Sequence, residues 1–217
     1  MPAESEKQQT RREISSAASP TPRARRLDPD ARRDQLIDAT VAAVASAGYS
    51  GLTLDEVAER SGVTRSLIYH YFPRGRQDLF IAAVDRAGHE LTENWVVDSD
   101  TPIEERLAAN FARFFAHALE PSAIWLVHRQ ASVAGDPEVD EVFEHYRAIV
   151  VSAVALNHFG TEDPPAAVCA GLRAYLAFAE SALDEWREHE LDPEDLYPML
   201  AGSLLAVVDS LWSLSDG

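Results

Sequence analysis

Between Thr53 and Phe72 the sequence permits two short helices and little else. "TLDEVAERS" opens on a threonine with a glutamate three residues later, the form of a capping box, and places Leu54, Val57 and Ala58 on one side. Gly62 ends it, because glycine enters the left-handed conformation that a helix C-terminus favours. A second segment begins at Thr64, turns Leu67 and Ile68 inward, and must stop before Pro73. Two helices of this size joined by a glycine turn form a helix-turn-helix. Leu54, Val57 and Ala58 then face Val63, Leu67 and Ile68, with Ala58 small where the helices cross. Thr64, Arg65, Ser66, Tyr69 and His70 are left outside. Tyr69, His70 and Tyr71 cannot all enter one core, since successive helical residues point about 100° apart.

Helical periodicity continues on both sides of this pair. Residues 1–27 hold Ser, Pro, Gln, Arg and Glu with almost nothing large and apolar, which predicts a disordered tail. Order is expected from Asp28 as N-cap with Pro29 in the first turn, and Leu36, Ile37, Thr40, Val41 and Val44 recur until Gly48 breaks the helix. A helix from about Arg74–Gln77 runs towards Trp95. Pro and Gly then punctuate helices over 102–119, 121–133, 139–159, 166–190 and 193–213. The expectation is all-α, with about nine helices: a helix-turn-helix head over 28–95 and a second helical domain over 98–217.

The net charge of −17 argues against nucleic acid only until its distribution is read. Residues 1–90 are neutral, and the whole excess of acid lies in 91–217, a split that suits two regions with different partners and equally suits charge drifting between helices without function. Cys169, the single cysteine, excludes an internal disulfide and sits in an apolar helix as packing. No run of about 18 apolar residues is present, so no membrane span is expected. The polar N-terminus lacks a signal core, so export is not expected. Nucleophile-elbow, P-loop, dinucleotide and zinc-protease motifs are absent, and Glu185 with His189 supplies too few groups for a metal, so neither enzyme activity nor a cofactor is expected.

From Arg32 to Phe80 the sequence resembles the DNA-binding domain of the TetR family of transcriptional regulators. The likeness is carried by the helix-ending glycine, "LTLDEVAERSGV", "LIYHYF" and "QDLF". It implies that the helix from Thr64 enters the major groove of an operator duplex. Thr64, Arg65, Ser66 and His70 would then lie nearest base edges, where arginine can pair with guanine O6 and N7. Thr53, Tyr69 and Tyr71 would hold phosphates, unless the tyrosines pack on neighbouring helices. One departure is plain. Family members commonly carry a lysine just before "DLF" that meets a phosphate, whereas this chain has Gly75 flanked by Arg74 and Arg76, so one of these arginines is expected to substitute.

The resemblance also implies that the acidic half binds a small effector and forms a homodimer, giving a cytoplasmic, ligand-released repressor. Leu172, Leu176 and Leu183, then Leu200, Leu204, Val208 and Leu211, form stripes suited to a four-helix dimer contact or to packing within one chain. Phe111, Phe114, Trp125, Tyr146, Tyr175 and Phe178 are candidates to line a cavity for a lipophilic or aromatic ligand. His128 and Arg129 are the polar groups available to meet a ligand carboxylate, or else exposed helix residues. The alternative is a helical enzyme or sequestering protein whose head no longer binds DNA.

Overall fold

The computed structural model describes residues 28–93, 95, 100–118 and 122–215; the tail expected over 1–27 lies outside them. By packing, the chain divides after Arg32. Of the first unit only the opening turn of α1 is described, with Arg32 N–H donating to the Asp28 carbonyl at 2.9 Å. Everything below concerns the unit from Arg33 onward.

The described residues contain nine helices and no strand: α1 Pro29–Gly51, α2 Leu54–Ser61, α3 Arg65–Tyr71, α4 Arg76–Thr92, α5 Ile103–Ala118, α6 Ala123–Ala131, α7 Pro137–Phe159, α8 Ala166–Glu188 and α9 Pro193–Ser215. Their ends follow the chemistry of the caps. Thr53 accepts from the Glu56 N–H and Thr64 from the Leu67 N–H, each satisfying a donor that its helix leaves open. Gly62 takes φ 63° and ψ 34°, and its N–H closes α2 on the carbonyls of Ala58 and Glu59. Asp136 caps α7 ahead of Pro137, and Gly160 ends it at φ 71°. At Gly48 the backbone leaves helical geometry (φ 71°, ψ 170°), so the expected break falls there, although a further turn reaches Gly51.

Two apolar cores result. The first joins α1–α4 around Leu36, Val44, Val57, Ile68, Leu79 and Phe80, all essentially buried. It also recruits Val127, Ala131, Val139 and Phe143 from α6 and α7, which no local pattern had assigned to the head. Burying one such side chain contributes roughly 1.5–3 kcal/mol, so this shared core anchors the head firmly to α6 and α7. The second core gathers α5–α9 around Trp125, Leu172, Leu183, Leu196 and Leu200.

One expectation about the second half needs correction. Leu172, Leu183, Leu200, Leu204, Val208 and Leu211 are buried within one chain, and Leu176 packs against the same core. These stripes zip α8 to α9, and are not available to a second copy. The opposite faces of the same helices stay exposed, including Ala170, Ala174, Ala177 and Phe178 on α8 and Gly202, Leu205 and Ala206 on α9. By length and composition alone α8 would pass for a membrane-crossing helix, although the sequence shows no unbroken apolar run. Here Val168, Leu172, Ala179 and Leu183 on α8 are buried in the second core.

Candidate functional site

The helix-turn-helix presents its polar residues as a consequence of what it buries. Ile68 is fully buried and Phe72 nearly so, with Arg33 over the Phe72 ring at 5.3 Å. That fixes the rotation of α3 and leaves Thr64, Arg65, Ser66, Tyr69 and His70 exposed. Tyr69 retains half of its surface. Tyr71 behaves differently: it is partly buried against the head core, with its ring edge-on to His70 at 5.2 Å.

Every arginine in this region is already engaged. Arg65 forms an exposed ion pair with Asp55 at the start of α2, which raises the Arg65 pKa, mainly through the hydrogen bond. Arg74 is held between two carboxylates, Asp78 at 2.6 Å and Glu138 of α7 at 2.6 Å. The same bond holds Glu138 below the usual carboxylate range. Arg76 donates to the Tyr49 carbonyl at 2.6 Å and lies 4.3 Å over the Tyr49 ring, which stacks on Phe80 at 4.0 Å. Among the described residues its partners are a carbonyl and a ring, and no acid pairs its charge there, unlike that of Arg74.

Gly75 now has a physical account. It is buried at φ 62° and ψ −112°, a region that side-chain-bearing residues rarely occupy. A Cβ there would sit 3.0 Å from Tyr69 Cε1 and 3.2 Å from Leu54 Cδ1. The glycine lets α4 start directly beneath Tyr69. Its N–H is not offered outward, because it donates to the Phe72 carbonyl at 2.8 Å.

The second half encloses a cavity of about 110 Å³ with mostly apolar walls. Phe111, Phe114, Trp125, His128, Tyr146 and Tyr175 line it. Arg129 and Phe178 do not: Arg129 bonds Glu180 at 2.9 Å and Asp184 at 2.8 Å, and Phe178 is 44% exposed. Residues that sequence reasoning missed include Arg106, Arg147, Asn157 and His158. Arg106 carried a readable signal, since Ile103, Arg106, Leu107, Asn110, Phe111, Phe114 and His117 recur at helical spacing and all of them face the cavity.

Charge in the cavity is unevenly satisfied. Glu180 accepts from His128 at 3.2 Å and Arg129 at 2.9 Å; burial pushes its carboxyl up, but His128 and the nearby arginines pull it below the ordinary value. Burial, helped by the charge of Arg106, holds His158 below the usual imidazole value. On the wall towards the head, Tyr146 donates to Asp85 of α4 at 2.9 Å, and burial followed by this bond pushes its hydroxyl up to about 12. Its ring lies directly on Gly88, where a Cβ would fall 2.6 Å from Cε2 and nearer still to Cδ2 and Cγ. Among the described residues no cluster of metal-ligating side chains occurs.

The architecture is an all-helical body with a cavity, carrying a helix-turn-helix with an exposed polar outer face. Residues 36–83 match the bacterial regulatory proteins of the tetR family. The regulator BetI of Burkholderia thailandensis is 38% identical over 90 residues, covering 37% of this chain and 44% of that protein. The chain thus spans less than half the length of such curated relatives. A tetR-family regulator from Streptomyces coelicolor superposes with a TM-score of 0.71 at 24% identity, over 88% of this chain and 87% of its own. The regulator FadR of Bacillus subtilis, solved with stearoyl-CoA, superposes at 0.61 and 17% identity, over 81% and 97%. At such identities the solved structures speak for the fold alone. The tetR-family match is therefore confined to residues 36–83, and over the rest of the chain the likeness is one of fold.

Proposed function

We propose that the protein is a ligand-released transcriptional repressor, acting in the cytoplasm as a homodimer on a near-palindromic operator. The observation that carries this reading is the outer face of α3, where Thr64, Arg65, Ser66, Tyr69 and His70 all reach solvent from a helix pinned by Ile68. Thr64, Arg65, Ser66 and His70 meet base edges, and Thr53, Tyr69 and the edge of Tyr71 meet phosphates. Arg65 exchanges Asp55 for a guanine; an ion pair this exposed contributes little, so the exchange costs little. Arg76 is the phosphate contact that replaces the family's lysine, because two carboxylates already neutralise Arg74.

Release runs through Tyr146. This residue lines the cavity, bonds Asp85 and lies on Gly88, so a ligand that moves its ring moves α4. The start of α4 sits beneath Tyr69, which ties its position to the reading helix. The second copy docks on the outer faces of α8 and α9, where small residues permit close approach around Phe178 and Leu205.

Fluorescence anisotropy with duplexes from the protein's own upstream region tests the reading. Binding should be sequence-dependent and weaken steeply with salt. Arg65→Ala with Tyr69→Phe should lower affinity at least about tenfold, from loss of a bidentate base contact worth roughly 1–3 kcal/mol. Arg76→Ala should reduce the salt slope, and Arg74→Ala should leave it. Wild-type protein that ignores sequence and salt would overturn the proposal.

A further inference from the structure

Three residues that line the cavity each carry a buried N–H with no acceptor among the described residues: Nε of Arg106, Nε of Arg147 and Nε1 of Trp125. Trp125 is only 1% exposed, so its indole nitrogen is sealed from bulk solvent. A buried donor without an acceptor is unfavourable, and native proteins rarely leave several together. All three are donors, so a hydrogen-bond acceptor is what would satisfy them. Two of them belong to guanidinium ions.

The rest of each guanidinium is spoken for by neutral groups. Arg106 donates to the Asn157 side chain at 2.9 Å, and Arg147 to the Arg173 carbonyl at 3.0 Å. No ion pair to either arginine occurs among the described residues. The acid on the wall, Glu180, is bonded by His128 and Arg129, and the charge of Arg147 also acts on it without a direct bond. A cationic ligand would therefore find no unmet carboxylate here, whereas an anion would find charge and donors together. The remaining wall is hydrocarbon and aromatic, from Leu107, Phe111, Phe114, Val150 and Leu176.

We propose that the effector is an apolar carboxylic acid, bound as its anion with the carboxylate at Arg106, Arg147 and Trp125 and its hydrocarbon body along α5. This rests on the reading of the cavity as an effector site. It also moves the carboxylate contact away from Arg129, whose guanidinium is taken up by Glu180 and Asp184.

The experiment compares three ten-carbon probes below their micelle concentrations: decanoate, 1-decanol and decyltrimethylammonium. Full-length protein is titrated with each by calorimetry, and each is tested for release of a fluorescent operator. Decanoate should bind at least about tenfold more tightly than decanol, since a charge-assisted hydrogen bond outweighs a neutral one, with the cation weakest. Arg106→Gln should erase the difference between acid and alcohol while decanol still binds, which shows that the variant's cavity is intact. Trp125→Phe should weaken decanoate and leave decanol unchanged. Decanol or the cation equalling decanoate in wild type, or an acid preference that survives Arg106→Gln, overturns the ligand class. Release by decanol without an acid preference leaves the effector-site reading standing. Operator binding with no response to any of the three probes counts against both.

Discussion

Replacing Gly88 by alanine sets two effects of opposite sign against each other. In a helix interior, alanine is favoured over glycine by about 1 kcal/mol, so propensity alone predicts a stabler protein. The structure predicts the reverse, because the new methyl group would overlap the Tyr146 ring at Cδ2 and Cγ and lie 2.6 Å from Cε2. Overpacking of this kind costs about 1–3 kcal/mol. Moving the ring also strains the bond from Tyr146 to Asp85, a further contribution of roughly 0.5–1.5 kcal/mol. The balance is a loss of about 2 kcal/mol, or a fall in Tm of about 4–8 °C for a chain of this size. Thermal melts at pH 7 and fixed protomer concentration measure it. The same substitution made alongside Tyr146→Ala should raise Tm, since the obstructing ring is gone and propensity acts alone. A Gly88→Ala protein as stable as wild type, or stabler, would refute the claim that α4 and the cavity meet at this ring.

Three further outcomes follow from the geometry. Gly75→Lys restores the residue common in the family, yet it should lower stability by about 1–3 kcal/mol and weaken operator binding, because the positive φ and the Tyr69 ring exclude a side chain; tighter binding at unchanged Tm would contradict this. His158 is held below its ordinary value of 6.5, so the unfolded chain takes up the proton first as pH falls. Stability present above pH 6.5 should decline below it, and His158→Gln should flatten that decline in urea titrations between about pH 5 and 7.5. If the proposed dimer forms through α8 and α9, Leu205→Glu should yield monomer in sedimentation velocity while the melt of the single chain stays cooperative; a dimer that survives the substitution would move the interface elsewhere.

Local patterns carried much of the head. Thr53, Gly62, Thr64 and Pro73 act on their immediate neighbours through hydrogen bonds, allowed dihedrals and steric exclusion, so helix ends could be read residue by residue. The apolar spacing of Leu54, Val57, Leu67 and Ile68 then determined which side chains of α3 remained outside. The same logic faltered at Gly75, where the missing lysine looked like a lost phosphate contact. Its cause is Tyr69, six residues earlier in sequence, whose ring would stand 3.0 Å from any Cβ placed at Gly75.

Periodicity in the second half placed the helices but not their partners. An apolar stripe records that a face is buried without recording what covers it. Leu172 and Leu200 therefore suited a dimer contact and an intrachain core equally well, until α8 was seen packed on α9. The cavity depended on distance even more strongly. His128 and Arg129 are adjacent in sequence and share Glu180, which lies about fifty residues away and occupies both. Arg106, Arg147 and Trp125 come from three different helices, yet all three line one cavity and each keeps a buried N–H without an acceptor among the described residues. Helix formation is a short-range property of the chain, so sequence alone determined it. Which charges meet and which remain unmet is settled by long-range packing, and only the tertiary structure decided that.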